Sequence, residues 1–79
     1  MPTRRIEDPR VAFGLALRNL RLKHGLSQEK LAELAEVHRT YIGDVERGKR
    51  NIALVNITRL AKALKVTPSE LVRAMEDFL

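Results

Sequence analysis

Leu54, Ile57, Leu60, Ala61 and Leu64 recur at intervals of three and four, which places all five on one stripe of an α-helix. Phe13, Ala16, Leu17 and Leu20 share a face in the same way, as do Leu31, Ala32 and Ala35, and Ile42 with Val45. Nowhere does the chain alternate apolar and polar residues as a half-buried strand would. Helices are therefore the only regular structure the pattern supports. Each periodic segment is too short to be stable alone, so the helices must hold one another by their apolar stripes.

The punctuation between the stripes sets their limits. Residues 1–9 carry two prolines and mixed charge without a period, and read as an N-terminal arm preceding a domain over residues 10–79. A first helix is expected from Pro9-Arg10 to His24, with Gly25 free to take the left-handed position after it. Gly14 lies inside that helix at a cost of about 1 kcal/mol relative to Ala. A glycine kept there suits the close approach of another backbone. Ser27 is a good N-cap for a second helix over Gln28 to Ala35. After Glu36-Val37, a third runs from Arg39 to Arg47 and stops at Gly48, leaving Gly48-Lys49-Arg50-Asn51 as a basic loop. The fourth covers residues 54–64. Thr67-Pro68-Ser69-Glu70 combines a Thr cap, Pro at the first helical position and Glu three residues on. A fifth helix follows, carrying Leu71, Val72, Met75, Phe78 and Leu79 to the chain end. The expectation is one all-α domain of five helices.

Size limits how such a domain can be stabilised. A core in a chain of 79 residues supplies only about 3–5 kcal/mol. There is no cysteine, so neither disulfides nor a thiolate metal site can add to it. His24 and His38 are the only histidines and have no evident metal partners, so no cofactor is expected. Association with a second copy is the remaining common source of stability. The 15 Lys and Arg against 10 Asp and Glu give a net charge of +5. That balance favours a polyanionic partner, nucleic acid before membrane, although it also serves plain solubility. No apolar run approaches a membrane span, and Arg4-Arg5 leads into Ile6-Glu7-Asp8-Pro9 and not into an apolar stretch, so a cytoplasmic protein is expected. No nucleophile–base–acid set or phosphate loop suggests an enzyme.

The second and third helices, about eight residues each with a turn of roughly three between them, are the informative segment. A steep crossing needs small or well-fitted residues where they meet, and Ala32, Ile42 and Val45 occupy those places. The outward positions of the third helix are then Arg39, Thr40, Gly43, Asp44 and Arg47, with His38 at its mouth. These are small or hydrogen-bonding residues, as reading base edges in a major groove requires.

The stretch Leu26-Ser27-Gln28-Glu29-Lys30-Leu31-Ala32 through Tyr41-Ile42-Gly43-Asp44-Val45-Glu46-Arg47-Gly48 resembles the Xre/Cro phage-repressor family. The likeness continues in Leu60-Ala61-Lys62-Ala63-Leu64 and Pro68-Ser69-Glu70-Leu71. More narrowly, His38-Arg39-Thr40-Tyr41-Ile42-Gly43 followed by Glu46-Arg47-Gly48-Lys49-Arg50-Asn51 is similar to controller proteins of restriction–modification systems. The resemblance implies a phage-repressor-like five-helix fold that dimerises and binds paired half-sites in double-stranded DNA. It puts base contacts on Arg39, Thr40 and Asp44, with Arg50 a further candidate and His38 beside the groove. It puts a phosphate contact on Gln28 and a structural ion pair on Arg21 and Glu46. Three residues depart from the family's habit: Glu36 where Gly is common, His38 where Ser or Thr caps, and Ala53 where Ser caps.

Several residues have two readings. Arg39 is either a bidentate donor to guanine or a solvated arginine. Thr40 touches a thymine methyl or a phosphate, or bonds its own backbone. Asp44 accepts from cytosine or orients Arg39 or Arg47. Tyr41 is core at its ring and a phosphate donor at its hydroxyl. Lys49 and Arg50 are backbone clamps or ordinary loop charges, Ser27, Arg47 and Asn51 are assigned to phosphates, and Arg4 and Arg5 follow a groove or none. Leu71, Met75, Phe78 and Leu79 belong to the monomer core or to a self-complementary dimer patch on a palindromic or pseudo-palindromic site. The main alternative function is an antitoxin-type DNA-binding protein whose terminal helix binds another protein.

Overall fold

The computed structural model describes residues 6–79, and among them it has the all-α, five-helix arrangement expected. The helices are α1 (Pro9–Lys23), α2 (Gln28–Ala35), α3 (Arg39–Glu46), α4 (Leu54–Ala63) and α5 (Pro68–Glu76). α1 lies against α5 and α3, α2 against α3 and α4, and α4 against α5. Between them sits one core of Phe13, Leu17, Leu31, Ile42, Val45, Leu60, Leu64 and Leu71, with small Ala32, Ala35 and Ala61 where helices approach.

Side-chain caps account for the starts of α1, α2 and α5. Asp8 caps α1, accepting from the amide of Arg10 at 2.9 Å while pairing with that residue's guanidinium. The side-chain hydrogen bond from Arg10 holds the Asp8 carboxyl below its usual range. Ser27 Oγ accepts from Lys30 N at 2.9 Å to start α2. Thr67 and Glu70 close the reciprocal box at α5, each side chain on the other's backbone amide at 3.1 Å. α3 and α4 begin at His38 and Ala53 without a side-chain cap. Glu36 and Lys65 follow α2 and α4 in the left-handed region, at φ of 59° and 58°. A non-glycine residue there carries roughly 1–2 kcal/mol of strain.

Three expectations need correction. Helix α5 stops at Glu76, so Phe78 and Leu79 are not helical. Leu71 is fully buried inside the monomer and can offer nothing to a dimer patch. Leu54 leaves the stripe it was assigned to: it stands at the uncapped start of α4, 75% exposed. Within the segment expected as an N-terminal arm, the Ile6 amide donates to the Phe78 carbonyl at 3.0 Å, which ties that residue to the end of the chain. Arg4 and Arg5 lie outside the described residues.

Candidate nucleic-acid interface

The third helix is fixed from three sides before any outward residue is considered. Its inner face carries Ile42 and Val45, both essentially without solvent exposure, against α2 and the rest of the core. Its C-terminal end meets α1 at Gly14, where an added Cβ would meet the carbonyl oxygens of Val45 and Glu46. Beside that contact Arg21 reaches across from α1, its Nε 2.6 Å from Glu46 Oε2 and its Nη2 3.0 Å from Oε1. The two side chains are only 9% and 4% exposed. Arg21 Nη1 also donates to the Leu26 carbonyl at 2.9 Å, and Gln28 Nε2 donates to Glu46 Oε1 at 3.0 Å. One carboxylate thus joins α1, the start of α2 and the end of α3. Among the described residues no buried side-chain nitrogen or oxygen lacks a partner.

What remains outside is a polar, basic face. Arg39 and Thr40 are exposed in the first turn of α3, and neither side chain has a hydrogen-bond or ion-pair partner among the described residues. Arg47, Lys49, Arg50 and Asn51 are exposed at the other end and in the loop beyond. Asp44 lies between, its Oδ1 2.7 Å from Arg47 Nη2 and its Oδ2 3.3 Å from Arg50 Nε. Asp44 therefore orients Arg47 and Arg50, not Arg39. Gly43 makes room for this arrangement, since a Cβ there would stand 3.1 Å from Arg47 Nη1. That guanidinium folds over the helix, which is why Gly43 is buried although it sits on the outward side.

The remaining sequence-assigned residues are placed as follows. Ser27 is exposed with its hydroxyl engaged at the α2 cap, and Gln28 is half-buried at the head of the same helix. His38 is exposed beside the first turn of α3. Gly48, at φ 76°, turns the chain against Val11 of α1, and no other residue fits there without both strain and a clash. Tyr41 is half-buried, with its ring against the core. Met75 packs on the core, while Phe78 and Leu79 are half-buried near the chain end.

Two features carried no sequence signal. Asn56 of α4 donates through Nδ2 to the Tyr41 hydroxyl at 3.0 Å, and Arg50 lies over the Tyr41 ring, 5.5 Å from its centre. Leu54 and Val55 expose 75% and 60% of their surface at the start of α4, and Val72 exposes 38% on α5. Helical spacing marks residues as apolar but cannot say which end of a stripe runs out beyond the core.

A family model described as helix-turn-helix matches residues 17–71. The control protein C.BamHI of Bacillus amyloliquefaciens is 52% identical over 63 residues, which cover 78% of each chain. The crystal structure of the restriction-modification controller protein C.AhdI from Aeromonas hydrophila superposes with a TM-score of 0.77 at 56% identity, over 78% of this chain and 94% of that one. The hypothetical transcription factor NHTF from Neisseria gives a TM-score of 0.79 at 38% identity, over 91% and 85%.

Proposed function

This chain belongs to the Xre-like helix-turn-helix family of DNA-binding transcriptional regulators, and we propose that it acts as a homodimer on a palindromic or pseudo-palindromic duplex site, controlling a restriction–modification operon. The observation that carries this reading is the face of α3, whose inner residues are sealed while Arg39, Thr40, Asp44 and Arg47 point out beside a basic loop. The likeness to named controller proteins supports the operon context. The reading is non-enzymatic and needs no cofactor. It places the protein in the cytoplasm, where its DNA is, and no described helix is long and apolar enough to cross a membrane.

Roles divide by chemistry. Arg39 reads a base edge, its guanidinium matching the two acceptors of guanine. Thr40 and His38 add contacts beside it. Asp44 holds Arg47 and Arg50 in place, and these with Lys49 and Asn51 grip phosphates. The start of α2, at Ser27 and Gln28, meets a phosphate on the far strand through its free amides. A single head of this size binds weakly, whereas two copies about 34 Å apart engage successive major grooves on one side of the duplex. Exposed Leu54 and Val55 at the start of α4 and Val72 on α5, with the half-buried Met75, Phe78 and Leu79 that follow Val72, supply apolar surface for pairing.

Selection of bound duplexes from a random pool at near-physiological salt tests the reading. Two inverted half-sites should be enriched, and sedimentation should find a dimer at tens of micromolar protein. A monomer at that concentration would count against self-association and favour the antitoxin-type alternative, in which another protein covers the apolar surface. Binding without enrichment would remove the claim of sequence specificity.

The division of roles is tested by two substitutions. Arg39→Ala should cost about 1–3 kcal/mol on the selected site and little on random duplex. Lys49→Ala should weaken all sequences alike and reduce the slope of affinity against salt by about one unit. Equal losses on selected and random DNA for Arg39→Ala would remove its base-reading role.

A further inference from the structure

Asn56 lies outside the helix-turn-helix pair, on α4, yet its amide reaches Tyr41 in the first turn of the DNA-facing helix. We propose that Asn56 is a positioning residue for DNA binding: it fixes the Tyr41 hydroxyl as a donor to a backbone phosphate and the Tyr41 ring as the seat of Arg50. The inference rests on the DNA-binding reading above and extends it to a residue that the reading does not use.

The geometry runs through named atoms. Asn56 Nδ2 donates to Tyr41 Oη at 3.0 Å. A phenol has one proton to give and lone pairs to receive with. Because the amide fills an acceptor position, the hydroxyl proton is left for an acceptor elsewhere, and Tyr41 makes no other hydrogen bond within the described residues through that oxygen. Donation into an oxygen also polarises its own O–H, strengthening the bond it gives. In a protein–DNA complex the abundant acceptors at such a rim are phosphate oxygens. The ring, held at both ends by core packing and by Asn56, lies under the Arg50 guanidinium at 5.5 Å. Arg50 in turn donates to Asp44, which also receives Arg47. Asn56 thus stands at the head of a chain of contacts that ends on two DNA-facing cations.

Tyr41 is the only tyrosine, and there is no tryptophan, so the near-ultraviolet tyrosine band reports on this ring alone. The test uses the full chain, a labelled duplex carrying the selected site, and a scrambled duplex. Asn56→Ala and Tyr41→Phe should each weaken binding roughly 3- to 10-fold, to a similar extent on both duplexes, since a phosphate contact carries no base information. The double variant should be no more than about twofold worse than either single one, because both remove the same contact. Asn56→Ala should also reduce the tyrosine dichroism while leaving the far-ultraviolet helix signal unchanged. Multiplying losses in the double variant would show that Asn56 meets DNA by itself, and would overturn the proposal. So would an unchanged tyrosine band or an unchanged affinity in Asn56→Ala. A wild-type protein that binds no duplex would overturn the DNA reading and the phosphate role together, while the dichroism comparison would still decide whether Asn56 holds the ring.

Discussion

Gly14→Ala is expected to lower the melting temperature by roughly 10–20 °C, although the same substitution in an exposed helix stabilises by about 1 kcal/mol. The reason is the absence of room. The added methyl would meet the Val45 carbonyl oxygen at far less than contact distance and the Glu46 oxygen at 2.7 Å. Both are backbone atoms at the end of α3, already fixed by helix hydrogen bonds and by the Arg21–Glu46 pair, so neither can swing aside as a side-chain tip would. The two helices must separate, and overpacking of this kind costs about 1–3 kcal/mol, occasionally more. Because the element displaced is α3, any fraction that still folds should also bind DNA less tightly. A melting temperature equal to or above that of wild type would mean that α1 and α3 are not locked as described. Heat-induced unfolding followed by circular dichroism decides it.

Gly14 also shows what the sequence can disclose. A glycine inside an apolar-periodic helix signals a close backbone approach, but not which backbone comes near; that depends on the crossing of α1 with α3. The same division holds elsewhere. Helix starts at Ser27 and Thr67 are legible because caps are local chemistry, completed within three residues. The core stripes are legible because burial follows the helical period. Leu54 breaks the rule because α4 begins a turn before the core does, and only the packing of neighbours reveals that. Leu71 errs in the opposite direction: apolar residues near the chain end look spare until α5 is seen lying on α1, which buries it completely. On the proposed DNA-binding face, Arg39 and Thr40 could be placed outward from spacing alone. Asp44's choice of Arg47 and Arg50 as partners, over Arg39, follows from the turn after Gly48 bringing the loop back beside α3, and Asn56–Tyr41 spans 15 residues and two helices. Contacts of that range leave no trace in periodicity.

Glu46→Ala should be the most damaging single change to the interface scaffold, at about 3–5 kcal/mol. A domain of this size has only about 4–12 kcal/mol in all, so the variant would be partly unfolded near its growth temperature. The cost arises less from the attraction lost than from what is left behind. Without the carboxylate, the Arg21 guanidinium, 9% exposed in the native protein, loses its counter-ion in a shielded place, and Gln28 loses its acceptor. Water cannot enter freely to replace the carboxylate at Arg21, whereas the half-buried Gln28 can turn to solvent. The converse single variant, Arg21→Met, leaves Glu46 uncompensated and frees the Leu26 carbonyl that Arg21 Nη1 now satisfies. Replacing both partners together is different in kind: Arg21→Met with Glu46→Leu removes both buried charges, and should recover most of the stability lost by either single change. The residual deficit should come mainly from the Leu26 carbonyl, worth about 1–3 kcal/mol if it is left unsatisfied. Since the pair is almost fully shielded, the single-variant losses should persist at high salt, where exposed pairs are screened. Losses that vanish in salt would mean that solvent reaches the pair. A double variant no more stable than Glu46→Ala would mean that α1, α2 and α3 depend on the hydrogen-bond geometry of the carboxylate itself. In that case the same carboxylate that joins the three helices would also set the angle at which α3 is presented to DNA, and a double variant that folds should bind the selected duplex more weakly than its recovered stability alone would suggest.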